Sequence, residues 1–153
     1  MIGLVVIDVL VVVGVSIGVG AWAPRWPDRW LTADPVPLHL WPWETAGFFR
    51  RLGVPALVRR LPELGALFGG ESKSALPGTG NVELRRYLIE VRRAEWVHWA
   101  SIASSILTFV WSPWWLALIL TVGVTVGNLP FILILRNNRR RLTAIVSRGG
   151  DSS

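Results

Sequence analysis

The chain has 153 residues, of which 52% are hydrophobic and 17% charged, with a mean hydropathy of +0.46. A soluble domain of this size needs more polar surface, so composition points to one compact, membrane-integrated unit rather than two domains. The formal charge of +6 does not indicate nucleic acid, because every Lys and Arg lies between Arg25 and Arg93 or between Arg136 and Arg148, as in positive-inside patterning. No cysteine is present, which excludes disulfides, thiolate metal sites and cysteine nucleophiles.

Residues 2–22 are apolar apart from Asp8 and Ser16, and long enough to span about 30 Å of hydrocarbon at about 1.5 Å per residue. Ala21-Trp22-Ala23 has the small-x-small look of a signal cleavage site. Against cleavage, no basic residue precedes the run, and the run is longer than an ordinary signal core. The expectation is a retained helix with its N-terminus outside. Asp8 would cost about 3 kcal/mol at mid-membrane, and is expected to reach the outer interface rather than to pair within the bundle. Residues 23–42 are rich in proline and tryptophan, with Pro24, Pro27, Pro35, Pro37, Pro42, Trp26, Trp30 and Trp41. Repeated prolines forbid a long helix, and clustered indoles read as an interfacial belt along the inner surface. His39 receives no role.

Residues 44–60 are basic and amphipathic, and predict an in-plane helix, broken at Gly53-Val54-Pro55, that adheres to anionic lipid. Residues 61–80 read as a loop, and neither their GGES nor their GTG has the strand-to-helix setting of a phosphate cradle. A second long helix is expected over residues 82–110, capped by Asn81, since no Gly or Pro interrupts it. Leu84, Leu88, Val91, Glu95 and His98 follow one another in steps of four and three, a single stripe that should face protein. Two ionisable groups on such a face at a membrane boundary mark a candidate site. Arg86, Glu90 and Arg93 are spaced for ion pairs on the polar face, where their role would be solubility.

Trp111-Ser112-Pro113-Trp114-Trp115 reads as a turn with an aromatic belt, and residues 114–135 as a third apolar span containing Asn128 and Pro130. A basic tail occupies residues 136–153. The fold class expected is an all-α integral membrane protein with about three transmembrane helices. The basic amphipathic connection and the tail would both lie on the cytoplasmic side. Taking Pro113 as the fold point, equal steps place His98 opposite Asn128 and Glu90 opposite Arg136. His98 then lies about 22 Å from the turn, at the cytoplasmic end of the bilayer core. The candidate site is Glu95, His98 and Asn128, rimmed by Arg92, Arg93, Arg136, Arg139 and Arg141.

Three chemistries fit a Glu–His pair. His98 can act as a general base whose tautomer Glu95 fixes. The pair can be structural, each group satisfying the other. Metal ligation needs a second Glu-x-x-His and further carboxylates, which the chain lacks, so no metal is expected.

Glu90-Val91-Arg92-Arg93-Ala94-Glu95-x-x-His98-Trp99, then Asn128-Leu129-Pro130, then Arg136-x-Asn138-Arg139-x-Arg141-Leu142, resembles the glycosyl-4,4'-diaponeurosporenoate acyltransferases of staphyloxanthin-type carotenoid biosynthesis. Upstream, Leu61-Pro62-Glu63-x-Gly65 is similar to a family element. The Trp-Lys-Asp that often precedes that element is absent, and Asn137 stands where the family often has Tyr. The resemblance implies a membrane enzyme that transfers a fatty acyl group to a sugar hydroxyl of a glycosylated carotenoid or similar glycolipid. Acyl-CoA or acyl carrier protein would be the donor, with no cofactor. On that reading His98 deprotonates the acceptor, Glu95 orients His98 and Asn128 donates to the thioester oxyanion. Arg92, Arg93, Arg136, Asn138, Arg139 and Arg141 would meet the phosphates of the donor. The alternatives are a non-catalytic membrane scaffold and a polybasic lipid-binding subunit.

Overall fold

The computed structural model describes residues 1–60 and 81–150, and these are helical with no strand. Helix α1 spans Ile2–Trp22. Two short 3-10 turns follow, Ala23–Arg25 and Asp28–Leu31, as the prolines require. Helix α2 is Ala46–Arg51, started by the Thr45 hydroxyl, which accepts from the Phe48 N–H at 3.2 Å. Gly53, at φ +71°, makes the turn into α3, Val54–Arg60, so the expected break falls at the glycine. The loop expected over residues 61–80, with its Leu61-Pro62-Glu63 element, lies outside the described residues.

Helix α4 is Asn81–Ile106 and tightens into a 3-10 turn, Leu107–Val110. Helix α5, Trp114–Gly150, runs without interruption through Pro130 and the basic segment. The expected end of the last span near residue 135 is therefore not a helix end. Arg136, Arg139 and Leu142 continue the same helix at steps of three, and arginine is a good helix former.

Helices α4 and α5 form an antiparallel hairpin, and the leucine stripe sets its register. Leu84, Leu88 and Val91 share one buried cluster with Leu135 and Leu142. Equal steps from Pro113 set Leu84 opposite Leu142 and Val91 opposite Leu135, and all four belong to that cluster. Helix α1 packs antiparallel on α4 through small and hydroxylated residues. Ser101 donates to Ser16 at 2.8 Å, and Gly20 lies against Val97. Small residues of this kind let two helix backbones approach closely.

Asp8 departs from its expected place. It is 1% exposed and accepts from the Trp111 indole at 2.7 Å and from the Ser112 hydroxyl at 2.8 Å. The carboxylate therefore pairs within the bundle, where it ties α1 to the α4–α5 turn.

Among the described residues, Ile2–Arg25 and Trp114–Ser147 are long and apolar enough to cross a membrane, and only 11% and 17% of their most apolar windows are buried. A soluble core helix would show the opposite. Helix α4 does not meet that measure, since its apolar part is confined to its last turns. Replacing Asp8 with Ala leaves the Trp111 and Ser112 donors unpaired. It is expected to lower stability by about 1–3 kcal/mol, measured by thermal unfolding of the purified protein.

Candidate active site

The inward stripe of α4 delivers His98 to α5 as the hairpin register requires. His98 Nδ1 lies 2.8 Å from Asn128 Oδ1, and the imidazole stacks on Phe131 at 5.2 Å with the rings 6° from parallel. Asn128 Nδ2 donates to the Val124 carbonyl at 2.8 Å. That second bond fixes the amide orientation, because only the NH2 group can donate to a carbonyl. Asn128 therefore presents its oxygen to His98, and Nδ1 must carry the proton. In the neutral ring the lone pair then sits on Nε2, and Nε2 is the basic nitrogen.

Glu95 is fully buried one turn away, at 0% exposure. Its carboxylate lies 2.8 Å from Arg136 Nη1 and 3.4 Å from Arg139 Nε. Arg136 is itself buried, and its contacts can be counted out. Nε donates to Glu44 Oε1 at 2.6 Å, and Nη2 donates to Glu44 Oε2 at 2.6 Å and to the His39 carbonyl. Nη1 donates to Glu95 and, at 3.0 Å, to the Pro37 carbonyl. A guanidinium has five N–H donors, and all five are used. Arg139, 0% exposed, donates to Asp34 at 2.8 Å and to the Leu38 carbonyl.

Equal steps set Glu90 opposite Arg136, but Arg136 meets Glu95; Glu90 bonds Arg93 on its own helix, as their spacing leads one to expect. Side chains lean towards the N-terminus of their helix. On α5 that is towards Pro113, and on α4 it is away from Pro113. A long arginine on α5 and a carboxylate on α4 therefore meet a little over one turn nearer the fold than equal steps predict.

The connection between α1 and α3 is a strap, and the arginines define its course. Arg93, with the Trp26 carbonyl and Asp28 as acceptors, holds its start on α4. Asp34 accepts from Arg92 at 2.7 Å and from Arg139, so it bridges the two helices. Glu44 closes on Arg136, and Phe49 and Val54 then pack on Ile134 of α5. The apolar face of the basic segment thus lies on α5. The polar face of α4 is also less exposed than expected, because Arg93 is 7% exposed.

Asp28, Asp34 and Glu44 were not among the sequence-derived site residues. They are the only acidic residues between positions 23 and 60, and all three pair with arginine. Their signal in the sequence was the charge balance: arginines packed against protein need counter-charges, of which Glu44 is itself buried. Of the expected rim, Arg92, Arg93, Arg136 and Arg139 are engaged by carboxylates of the same chain, while Arg141 is exposed and Asn138 half-buried. His98 and Asn128 are brought together, and Glu95 is held by Arg136 and Arg139.

A separate cleft of about 310 Å³ is lined by Trp22, Trp26, Trp30, Leu31 and Trp96. Trp96 and His98 are two residues apart and so project to opposite sides of α4. Among the described residues no group of three or more His, Asp or Glu could hold a metal ion.

Replacing Arg136 with Met leaves the buried Glu44 without a cation and Glu95 with Arg139 alone, and is expected to cost about 3–5 kcal/mol of stability. Arg141→Ala, at an exposed position, should change stability by less than about 0.5 kcal/mol. Equilibrium denaturation of the two variants side by side checks the contrast.

No individual curated protein and no solved structure matches the chain. A family profile does match, over residues 27–148, a stretch that takes in most of the strap, all of α4 and nearly all of α5, with His98, Asn128 and every member of the arginine–carboxylate network. The chain belongs to the glycosyl-4,4'-diaponeurosporenoate acyltransferase family (CrtO), and it is an acyltransferase.

Proposed function

We propose that this acyltransferase moves a fatty acyl group from acyl-CoA or an acyl carrier protein to a sugar hydroxyl of a glycosylated carotenoid. His98 is the general base of that reaction. The observation that carries the assignment is the His98–Asn128–Val124 chain of hydrogen bonds, which fixes the tautomer with Nε2 as the basic nitrogen.

In the proposed step, Nε2 takes the proton of the sugar hydroxyl as its oxygen attacks the thioester carbonyl carbon. The tetrahedral intermediate then expels the thiolate, and the imidazolium returns the proton to sulfur, leaving ester and thiol. Asn128 Oδ1 steadies the imidazolium. One amide hydrogen of Asn128 is used by Val124, and the other serves the developing oxyanion. Glu95 acts at one remove: through Arg136 and Arg139 it holds α4 against α5, and so holds His98 at Asn128. Arg141 and Asn138, which have no partner among the described residues, meet the phosphates of the donor.

In this proposal the site lies at the cytoplasmic leaflet of a multi-pass protein whose N-terminus lies outside. Two observations support this placement. Only 11% and 17% of the apolar windows of α1 and α5 are buried, and the arginines lie at the opposite end of the hairpin from Trp111, Trp114 and Trp115. In this reading the apolar end of α4 is the third span, covered by α1 and α5. An acyl donor from the cytosol and an amphipathic glycolipid meet at that depth.

Two measurements test the reading. In membranes supplied with the glycosylated carotenoid acceptor and a long-chain acyl-CoA, His98→Ala is expected to lower turnover by about 10²–10⁴-fold. Wild-type turnover in this variant would remove His98 as the base. The protein is also expected to stay with the membrane pellet through an alkaline carbonate wash, and release into the supernatant would overturn the membrane placement.

A further inference from the structure

Glu44 stands at the end of the strap, 51 positions before Glu95 in sequence, yet the two carboxylates share one guanidinium. Glu44 is 5% exposed and grips Arg136 with both oxygens, at 2.6 Å each, as a side-on pair. The carbonyls of Pro37 and His39, from the same strap, take two more N–H groups of Arg136. Four of the five donors of Arg136 are therefore claimed by the strap and one by α4. Such a fork has one orientation, since a planar guanidinium bound by a carboxylate on one edge cannot turn without breaking both bonds.

We propose that Glu44 is a positioning residue for acyl transfer. By aiming Arg136 at Glu95, it fixes the α4–α5 register at which His98 meets Asn128. The chain of contact is continuous. Glu44 orients Arg136, Arg136 holds Glu95 at 2.8 Å, and Glu95 lies one helical turn from His98. On the other helix, Arg136 lies two turns from Asn128, which is hydrogen-bonded to the imidazole, and just over one from Phe131, which stacks on it. A shift of either helix past the other would separate His98 from Asn128. Glu44 itself is placed to touch no substrate, because both of its oxygens are filled by Arg136 and one of them also accepts from the Trp41 N–H at 2.7 Å. Its effect is thus expected on the rate of the chemical step and not on substrate affinity. This inference rests on the assignment of His98 as the base.

The test uses the full chain, purified and returned to lipid nanodiscs, with the glycosylated carotenoid acid as acceptor and a long-chain acyl-CoA as donor. Glu44→Gln keeps the shape and one acceptor oxygen, while Glu44→Ala removes both. The expected result is kcat per folded protein about ten-fold lower in Glu44→Gln and about a hundred-fold lower in Glu44→Ala, with KM for both substrates within about two-fold of wild type. The absence of cysteine permits a second readout that needs no activity. Spin labels at Glu83→Cys on α4 and Ala144→Cys on α5, both exposed, are expected to give one narrow distance, which broadens or shifts when Glu44→Ala is added. Wild-type kcat in Glu44→Gln overturns the proposal, as does a raised KM with unchanged kcat. If Glu44→Ala fails to fold, Glu44→Gln carries the kinetic test. If the wild-type protein shows no transfer at all, the acyltransfer reading of His98 fails separately. The label distances then still decide whether Glu44 sets the register, and an unchanged distance overturns it.

Discussion

Arg136 is the point on which the structure turns. Its guanidinium is taken out of water on a long apolar helix, and a bare buried cation would cost far more than any single contact returns. The cost is met only because all five N–H groups are used, three on carboxylate oxygens and two on strap carbonyls. That requirement reaches across the chain. It demands a carboxylate from α4, a second from the connection, and a connection whose backbone passes close enough to offer its carbonyls.

The strap follows from this demand. Residues 23–45 have too many prolines for a long helix, so their carbonyls are left without the partners a helix would give them. Arg136, Arg139 and Arg93 supply donors to four of these carbonyls, at Trp26, Pro37, Leu38 and His39. The irregular connection and the arginine-rich helices thus partner one another, while the Nε groups of Arg93 and Arg139 make no hydrogen bond. The fold keeps this polar cluster at one end of the hairpin. At the other end Asp8, Trp111 and Ser112 form a smaller knot of the same kind. Between the two ends lie the His98–Asn128 pair and contacts between small or hydroxylated residues such as Ser16–Ser101 and Gly20–Val97, the latter fitting close helix approach.

The family motif is therefore divided between two tasks. Most of its arginines hold the protein together, while His98 and Asn128 form a short relay in which each hydrogen bond fixes the next. A motif rich in arginine invites a phosphate-binding reading, but a guanidinium whose donors are exhausted cannot serve a ligand. For the arginines of α4 and α5, what matters is whether a carboxylate already stands opposite.

Much of this was legible in the chain itself. Hydrophobic runs gave α1 and α5, and steps of four and three from Leu84 gave the inward face of α4. Counting outward from Pro113 placed His98 at Asn128, because an antiparallel helix pair with a short turn has only one register. The stripe likewise placed Glu95 inside the protein. Tertiary structure alone decided which carboxylate meets which arginine. That choice depends on the lean of side chains along each helix and on a proline-rich connection whose path no periodicity describes. Asp28, Asp34 and Glu44 lie in that connection, so local spacing could not assign them. The apolar pattern fixed where the helices lie, and burial of charge fixed how they are fastened.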